Sequence, residues 1–161
     1  MNHFYFFSYG SNLLLKRIKI RTPSVEVIEV CRLDGFELVF NKRSKDGSTK
    51  ANISPKNGSH VFGVIHRINI EEKGNLDRVE GLGYGYELDY FEKIIEDKMV
   101  QIGYYIAKDK KFLSGGKPFG WYLDYVKQGA RENRFPVDYQ KKVQLVQFIV
   151  DTDEAEEVNT M

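Results

Sequence analysis

Residues 9–12, YGSN, could bind an oxygen atom or an anion through their backbone. They directly follow an apolar run, residues 4–7, which predicts a β-strand, and Gly10 lets the chain bend sharply where that strand ends. Ser11 and Asn12 are typical caps for the short apolar segment that follows. Backbone N–H groups at such a strand-to-helix corner converge on one point and bind carboxylates or carbonyl oxygens. The pattern therefore predicts an oxygen-binding loop.

Glu80 is the candidate for proton transfer, because it ends a predicted helix with a carboxylate. Asn69 followed by Glu72 predicts a capping box, so the helix should begin near Ile70 and stop at Gly81. An exposed glutamate has a pKa of about 4.3 and is a poor base, whereas burial beside tyrosine rings would raise that pKa. The ordinary alternative is a glutamate at a helix end that faces water.

The histidines and the cysteine do not have the spacing of a metal site. His3, His60 and His66 lie in strand-like surroundings, and Cys31 is alone, which excludes an intrachain disulfide. We therefore expect no metal, and structural or surface roles for the histidines. A Ser-His-Asp hydrolase built on Ser11 would need one of these histidines as its base, an alternative that only geometry can test.

Composition and length predict one cytoplasmic domain. The chain has 161 residues and a net charge of +1, which gives no reason to expect nucleic acid or an anionic membrane as a partner. No apolar run approaches the roughly 20 residues that a bilayer requires, and the N-terminus lacks the pattern of a signal peptide. We expect a single domain over residues 1–150. The acidic residues 151–161 are poor in large apolar groups, so we expect a flexible tail.

Alternation of apolar and polar residues predicts strands through the first two-thirds of the chain. Residues 25–33 and 36–40 should pair as a hairpin through a turn at Asp34 and Gly35. The elements predicted next are a polar loop at 41–50, a short strand at 51–54, a turn at 55–58 and a buried strand at 61–65.

A second hairpin and two helices are predicted for the rest of the chain. The pattern of residues 86–95 and 99–107 predicts long paired strands. Pro136 marks the start of a helix expected to run over residues 137–150. The residues at helical spacing on one face of the preceding helix are Tyr122, Tyr125, Val126, Gly129 and Ala130.

The YGSN segment together with residues 76–81, LDRVEG, resembles the γ-glutamylcyclotransferase superfamily. Residues 122–133 are similar to the YxxxIxxGAxEN helix of that family, and residues 136–139 to its PxxY segment. The resemblance covers nearly the whole chain, to about residue 148. The later segments indicate the γ-glutamylcyclotransferase branch itself more than its amine-specific or glutathione-specific relatives.

The resemblance implies both a fold and a site. The fold is α+β, with a mixed, strongly curved, barrel-like sheet and flanking helices, and with the YGSN loop and Glu80 meeting at one mouth. Glu80 is implied to be the catalytic acid/base. The implied substrate-binding residues are Tyr9, Gly10, Ser11, Asn12, Tyr86, Tyr105 and Tyr122. Each tyrosine also has an ordinary interpretation as a core ring with its hydroxyl at the surface.

The implied reaction is cyclisation of a γ-glutamyl amide or γ-glutamyl amino acid to 5-oxoproline, with release of the amine. The substrate supplies its own nucleophile, so the reaction needs no cofactor and no metal. The alternatives are a γ-glutamylamine cyclotransferase and a non-catalytic module that binds small metabolites. The expected partner is a small γ-glutamyl substrate, and the protein is expected to be a monomer or a homodimer.

The chain departs from the family at Arg134 and Phe135, where the family usually has glycine and leucine before the proline. This bulky change lies at a predicted helix boundary. If that boundary borders the pocket, we expect a difference in substrate preference.

Overall fold

The computed structural model describes residues 2–151, and five strands and four α-helices make up most of that part of the chain. The strands are β1 (His3–Ser8), β2 (Glu26–Arg43), β3 (Thr49–Asn69), β4 (Glu87–Ile95) and β5 (Lys98–Ile106). The helices are α1 (Leu15–Arg21), α2 (Lys73–Glu80), α3 (Gly120–Glu132) and α4 (Val137–Gln144). Apart from Asp151, the predicted tail lies outside the described residues. The single domain over residues 1–150 stays a prediction.

The five strands form one mixed sheet in the order β2-β3-β1-β5-β4. The central strand β1 is antiparallel to β3 and parallel to β5. It ends at Ser8, so residues 9–12 follow directly from the middle of the sheet. The edge strands β2 and β4 approach each other, since Nζ of Lys93 on β4 lies 3.7 Å from Oε1 of Glu29 on β2. The predicted α+β fold with a strongly curved mixed sheet is therefore confirmed, although the barrel stays open between these edges.

The predicted hairpin at Asp34 and Gly35 is wrong. β2 continues through these residues to Arg43 and pairs with β3 along its length, and the two strands are joined by residues 44–48 instead. Gly35 has a φ of +85° and lies at a register shift, so it forms an irregularity within a strand. The predicted loop at 41–50 is shorter for the same reason, and the predicted turn at 55–58 lies inside β3.

The second predicted hairpin is confirmed, because β4 and β5 pair antiparallel through a two-residue turn at Glu96 and Asp97. Both turn residues have positive φ, 50° and 65°, as a type I′ turn requires. This hairpin carries Tyr105 beside the end of β1.

The predicted helix α2 is also confirmed, and Gly81 ends it in the left-handed conformation with a φ of 65°. The predicted capping box is wrong, because Asn69 makes no side-chain cap. Glu72 Oε1 instead accepts hydrogen bonds from the backbone N–H and the hydroxyl of Ser24, at 3.1 and 2.7 Å. This contact ties the start of α2 to the loop after α1.

The last helix, α4, begins after Pro136 as predicted but ends at Gln144, six residues early. The chain beyond it pairs with the segment before α3, since Ile149 N–H donates to Pro118 O and Gly120 N–H donates to Ile149 O, each at 3.0 Å. These bonds need an extended backbone at Ile149, which a continued helix could not provide.

Two apolar clusters lie on opposite sides of β1. One fills the concave side of the sheet and includes Phe7, Ile53 and Leu123. The other lies beneath α1 and α2, and includes Phe6 and Ile18. The site described below lies where these clusters meet.

Arg134 and Phe135 do not border the candidate pocket, contrary to the possibility raised by their sequence. Phe135 is buried in the first cluster, with its ring 5.9 Å from that of Phe62 and 5.8 Å from that of Tyr139. Arg134 has a φ of 56°, a left-handed conformation that favours glycine. The change from the family pattern therefore affects packing and backbone strain at the end of α3.

Candidate active site

All the predicted site residues line one pocket. It opens at the end of β1 and is bounded by the last residue of α2, by β3 and β5, and by the first turn of α3. The predicted residues that line it are Tyr9, Gly10, Ser11, Asn12, Glu80, Tyr86, Tyr105 and Tyr122. The lining residues that sequence reasoning did not identify are Phe6, Phe7, Ser8 and Ala51.

Glu80 is held by Asn12 across the pocket. Asn12 Nδ2 donates a hydrogen bond of 2.7 Å to Glu80 Oε1, and Asn12 Oδ1 accepts one of 3.0 Å from Arg21 Nη1. The expectation that Ser11 and Asn12 would cap a helix is wrong, because the short turn Ser11–Leu13 has no side-chain cap. The Asn12 amide points to the carboxylate instead.

Burial raises the pKa of the Glu80 carboxyl above its ordinary value. The charge of Arg21 and the hydrogen bond from Asn12 oppose this shift, as do the more weakly acting charges of Arg17 and Lys42. The residue as a whole is half-buried, while its carboxylate faces the enclosed pocket. A carboxyl group with a raised pKa is a stronger base than an exposed glutamate and can return the proton as an acid.

Gly10 is required by close packing. A Cβ atom at this position would lie 2.9 Å from Ala51 Cβ and 3.4 Å from the Tyr122 hydroxyl. The Tyr122 hydroxyl in turn accepts a hydrogen bond of 3.0 Å from Ala51 N–H. The loop therefore lies directly against β3 and α3, and a side chain here would displace it.

Gly129 has the same role on α3, because a Cβ atom there would overlap the Cβ atom of Leu13. The GA pair of the family-like helix segment thus lets α3 approach the turn that follows the YGSN loop. Asn133 at the end of α3 supports this contact, since its Nδ2 donates to Leu13 O at 3.0 Å.

The four tyrosines wall the pocket with their rings, while their hydroxyls bind other parts of the protein. Tyr9 donates to the carbonyl of Tyr105, Tyr86 donates to the carbonyl of Ala51, and Tyr105 donates to Asp77 Oδ1. Burial is the main reason why the pKa of each of these four phenols is raised, and the pKa of Tyr122 is raised to about 12. The phenols are therefore protonated near neutral pH and lock the pocket walls.

Sequence reasoning missed Arg21 and Asp77. Asp77 Oδ1 accepts a hydrogen bond from the Tyr105 hydroxyl, and Asp77 Oδ2 forms an ion pair with Lys73 Nζ at 2.7 Å. Asp77 therefore fixes a pocket wall to α2. A signal for Arg21 exists in α1, because Arg17 and Arg21 share the helix face of buried Ile18 while Lys19 is exposed. Basic residues on the buried face of a helix indicate that an acidic group or a hydrogen-bond acceptor faces them inside the fold.

The histidines do not provide a base for Ser11. No histidine within residues 2–151 lines the pocket that contains Ser11, whose side chain hydrogen-bonds Tyr122. His66 is fully buried and its Nδ1 lies 2.9 Å from Ser8 Oγ. Burial lowers the pKa of His66 to about 4, so the ring is neutral near pH 7. The geometry therefore does not support a hydrolase built on Ser11.

Residues 2–151 contain neither of two further classes of site. No group of three or more histidine, cysteine, aspartate or glutamate side chains in this part of the chain could hold a metal ion. No helix among the same residues is long and apolar enough to cross a membrane.

Comparison with known proteins identifies the family. Residues 60–143 match the AIG2-like family. Curated γ-glutamylcyclotransferases from Homo sapiens and Bos taurus are each 32% identical to this chain over 151 residues, which covers 89% of this chain and 79% of each relative. A solved γ-glutamyl cyclotransferase structure superposes with a TM-score of 0.81 and 27% identity, over 99% of this chain and 100% of that one. The chain therefore belongs to the AIG2-like, γ-glutamylcyclotransferase family of enzymes.

Proposed function

We propose that this protein converts a γ-glutamyl amide or γ-glutamyl amino acid to 5-oxoproline and releases the amine or amino acid. The observation that carries the proposal is the shared pocket of Glu80 and the YGSN loop, which the Asn12–Glu80 hydrogen bond of 2.7 Å spans. The names of the relatives, γ-glutamylcyclotransferases from three mammals, support the same reaction.

In the proposed mechanism the α-amine of the substrate attacks its own side-chain carbonyl. A C–N bond forms and closes a five-membered ring, and the original amide C–N bond then breaks. Glu80 accepts the proton that the substrate nitrogen loses as it attacks, and it returns a proton to the leaving nitrogen as the original amide bond breaks. Binding the γ-glutamyl chain in a folded form supplies proximity, which can lower a barrier by about 7–11 kcal/mol in well-oriented systems. No cofactor enters this scheme.

The backbone amides of residues 10–12 are proposed to bind the substrate carboxylate or the oxyanion that forms during attack. Donors that are fixed before the reaction stabilise such charge well, because they need no reorganisation as it develops. The close packing of Gly10 against Ala51 and Tyr122 supports this role, since it fixes the path of the loop.

Two lysines favour a leaving group that carries a carboxylate. Lys42 Nζ lies 5.3 Å from the centre of the Tyr86 ring, and Lys50 Nζ lies 4.4 Å from that of the Tyr122 ring. Both rings line the pocket. The charge of Lys50 is partly balanced by Asp46, whose Oδ2 lies 3.6 Å from Nζ, so Lys42 contributes most of the positive charge beside the pocket. This arrangement supports amino acids over simple amines as leaving groups.

The experiment that tests the function is an assay for 5-oxoproline with a panel of substrates. The panel contains γ-glutamyl dipeptides, γ-glutamyl amines and glutathione, and each reaction is run with and without EDTA. We expect product from at least one γ-glutamyl dipeptide, at a rate that EDTA does not change. Binding of these compounds without any 5-oxoproline would identify a non-catalytic module, and faster turnover of the amines would identify a γ-glutamylamine cyclotransferase.

A further inference from the structure

Arg21 reaches the candidate acid/base through one intermediate side chain. Its Nη1 donates to Asn12 Oδ1 at 3.0 Å, and Asn12 Nδ2 donates to Glu80 Oε1 at 2.7 Å. Asn12 is 9% exposed, and all three residues meet inside the fold although they come from α1, the YGSN loop and α2. A short chain of directed hydrogen bonds therefore ends on the carboxylate.

The direction of this chain is fixed by the guanidinium group. Arginine donates hydrogen bonds and cannot accept one, so the atom of Asn12 that faces Arg21 must be the carbonyl oxygen. The Asn12 NH₂ group must then face Glu80, where it needs an acceptor. Glu80 Oε1 consequently stays an unprotonated acceptor, and the other oxygen, Oε2, is left to carry the proton.

We propose that Arg21 is a positioning residue that orients the Asn12 amide and thereby assigns the two Glu80 oxygens to different tasks. Oε1 anchors the carboxylate, and Oε2 exchanges the proton with the substrate. This proposal rests on the proposed function, in which Glu80 is the acid/base.

Loss of Arg21 should raise the pKa of the Glu80 carboxyl for two reasons. The Asn12 amide becomes free to turn its carbonyl oxygen toward Glu80. This orientation favours the protonated carboxyl, because only that form can donate a hydrogen bond to the carbonyl. A positive charge that favours the carboxylate is also removed. The ionisable groups that face Glu80 are Arg17 and Arg21 from α1, Lys42 from β2, and the phenols of Tyr9, Tyr86, Tyr105 and Tyr122.

The test compares Arg21→Met, Arg21→Lys and a control, Lys19→Met, which removes an exposed cation from the same helix. The acid limb of the kcat–pH profile is measured with a γ-glutamyl dipeptide, and Glu80 is titrated directly by NMR of protein labelled at the glutamate carboxyl carbon. We expect Arg21→Met to move both midpoints upward by roughly one pH unit. Maximal kcat should fall about tenfold with little change in KM. Arg21→Lys should give a smaller shift and Lys19→Met none.

A double-mutant cycle separates positioning from general damage. If Arg21 acts through Asn12, then Arg21→Met should lower the maximal kcat much less in an Asn12→Ala background than in the wild type. Unchanged midpoints in Arg21→Met, or additive losses in the cycle, would overturn the proposal. If the wild type forms no 5-oxoproline, the proposed function fails, while the NMR titration still decides whether Arg21 controls the Glu80 carboxyl.

Discussion

At the scale of single residues, Glu80 combines a buried carboxylate with a defined hydrogen-bond partner. Burial raises the pKa of the carboxyl, which makes it a stronger base than an exposed glutamate. The bond from Asn12 and the charge of Arg21 act against that rise and favour the carboxylate. Because Asn12 lies in the YGSN loop, the groups proposed for proton transfer and for oxyanion binding are parts of one connected site.

We expect Glu80→Gln to lower kcat at least about 100-fold, because the side-chain amide keeps the shape and can still accept the Asn12 hydrogen bond but cannot transfer a proton. Thermal unfolding and binding of the γ-glutamyl substrate should stay close to wild type. Glu71→Gln, which changes an exposed carboxylate just before α2, is the matched control and should keep full activity. A near-normal rate in Glu80→Gln would remove this residue from the mechanism.

The YGSN loop is expected to depend more on its backbone than on its hydroxyl. Gly10→Val places atoms against Ala51 and Tyr122, so the loop must move, and a displacement of about 1 Å can cost roughly 100-fold in rate. Ser11→Ala removes one neutral hydrogen bond and should cost less than about tenfold. Steady-state kinetics on both variants measures the difference. An inactive Ser11→Ala together with an acyl-serine trapped in the wild type would favour the hydrolase.

At the scale of elements, local signals predict some structures and long-range pairing decides others. The hairpin at Glu96 and Asp97 and the stop of α2 at Gly81 follow from the conformations of a few adjacent residues, and both predictions are confirmed. Gly35 has the positive φ of a turn residue as well, but the long partner strand β3 keeps β2 extended through it. A glycine alone cannot distinguish a turn from an irregularity within a strand.

Replacing Gly74 inside α2 and Gly81 at its C-terminal cap with alanine should change the free energy of unfolding in opposite directions. Gly81 adopts a φ of 65°, so Gly81→Ala should destabilise the fold by about 1 kcal/mol and lower activity by moving Glu80. Gly74 lies inside α2, and a Cβ atom added there would meet no other atom within 4 Å, so Gly74→Ala should stabilise by about 0.5–1 kcal/mol. Urea unfolding measures both free energies. Equal effects of the two changes would contradict the assigned conformations.

At the scale of the whole molecule, the site depends on contacts that no sequence window contains. The predicted residues that line the pocket could be identified because they lie in family-like motifs. Asp77 could not, because its role arises only when Tyr105 is brought to it from 28 positions away. The basic character of the buried face of α1 could indicate Arg21, but only the fold shows that its partner is Asn12. The buried Ser8–His66 pair is likewise invisible in the sequence, since it joins residues 58 positions apart on neighbouring strands.

His66 makes the stability of the whole fold sensitive to acid. Its folded-state pKa is lowered by burial to about 4, whereas an unfolded histidine titrates near its ordinary value of 6.5. Between these values the unfolded chain binds more protons, so stability is complete above about pH 6.5 and is lost as pH falls toward 4. A difference of this size corresponds to about 3 kcal/mol, since one pKa unit is about 1.4 kcal/mol.

We therefore expect His66→Asn to flatten the dependence of unfolding free energy on pH between 4 and 6.5. The Asn side chain keeps a polar atom near the position of Nδ1, so it can still bond Ser8, although the smaller side chain lowers stability at every pH. His60→Asn is the control, because His60 is exposed, and it should keep the wild-type slope. Urea unfolding at a series of pH values measures these slopes. An unchanged slope in His66→Asn would show that other groups, and not the buried imidazole, cause the loss of stability in acid.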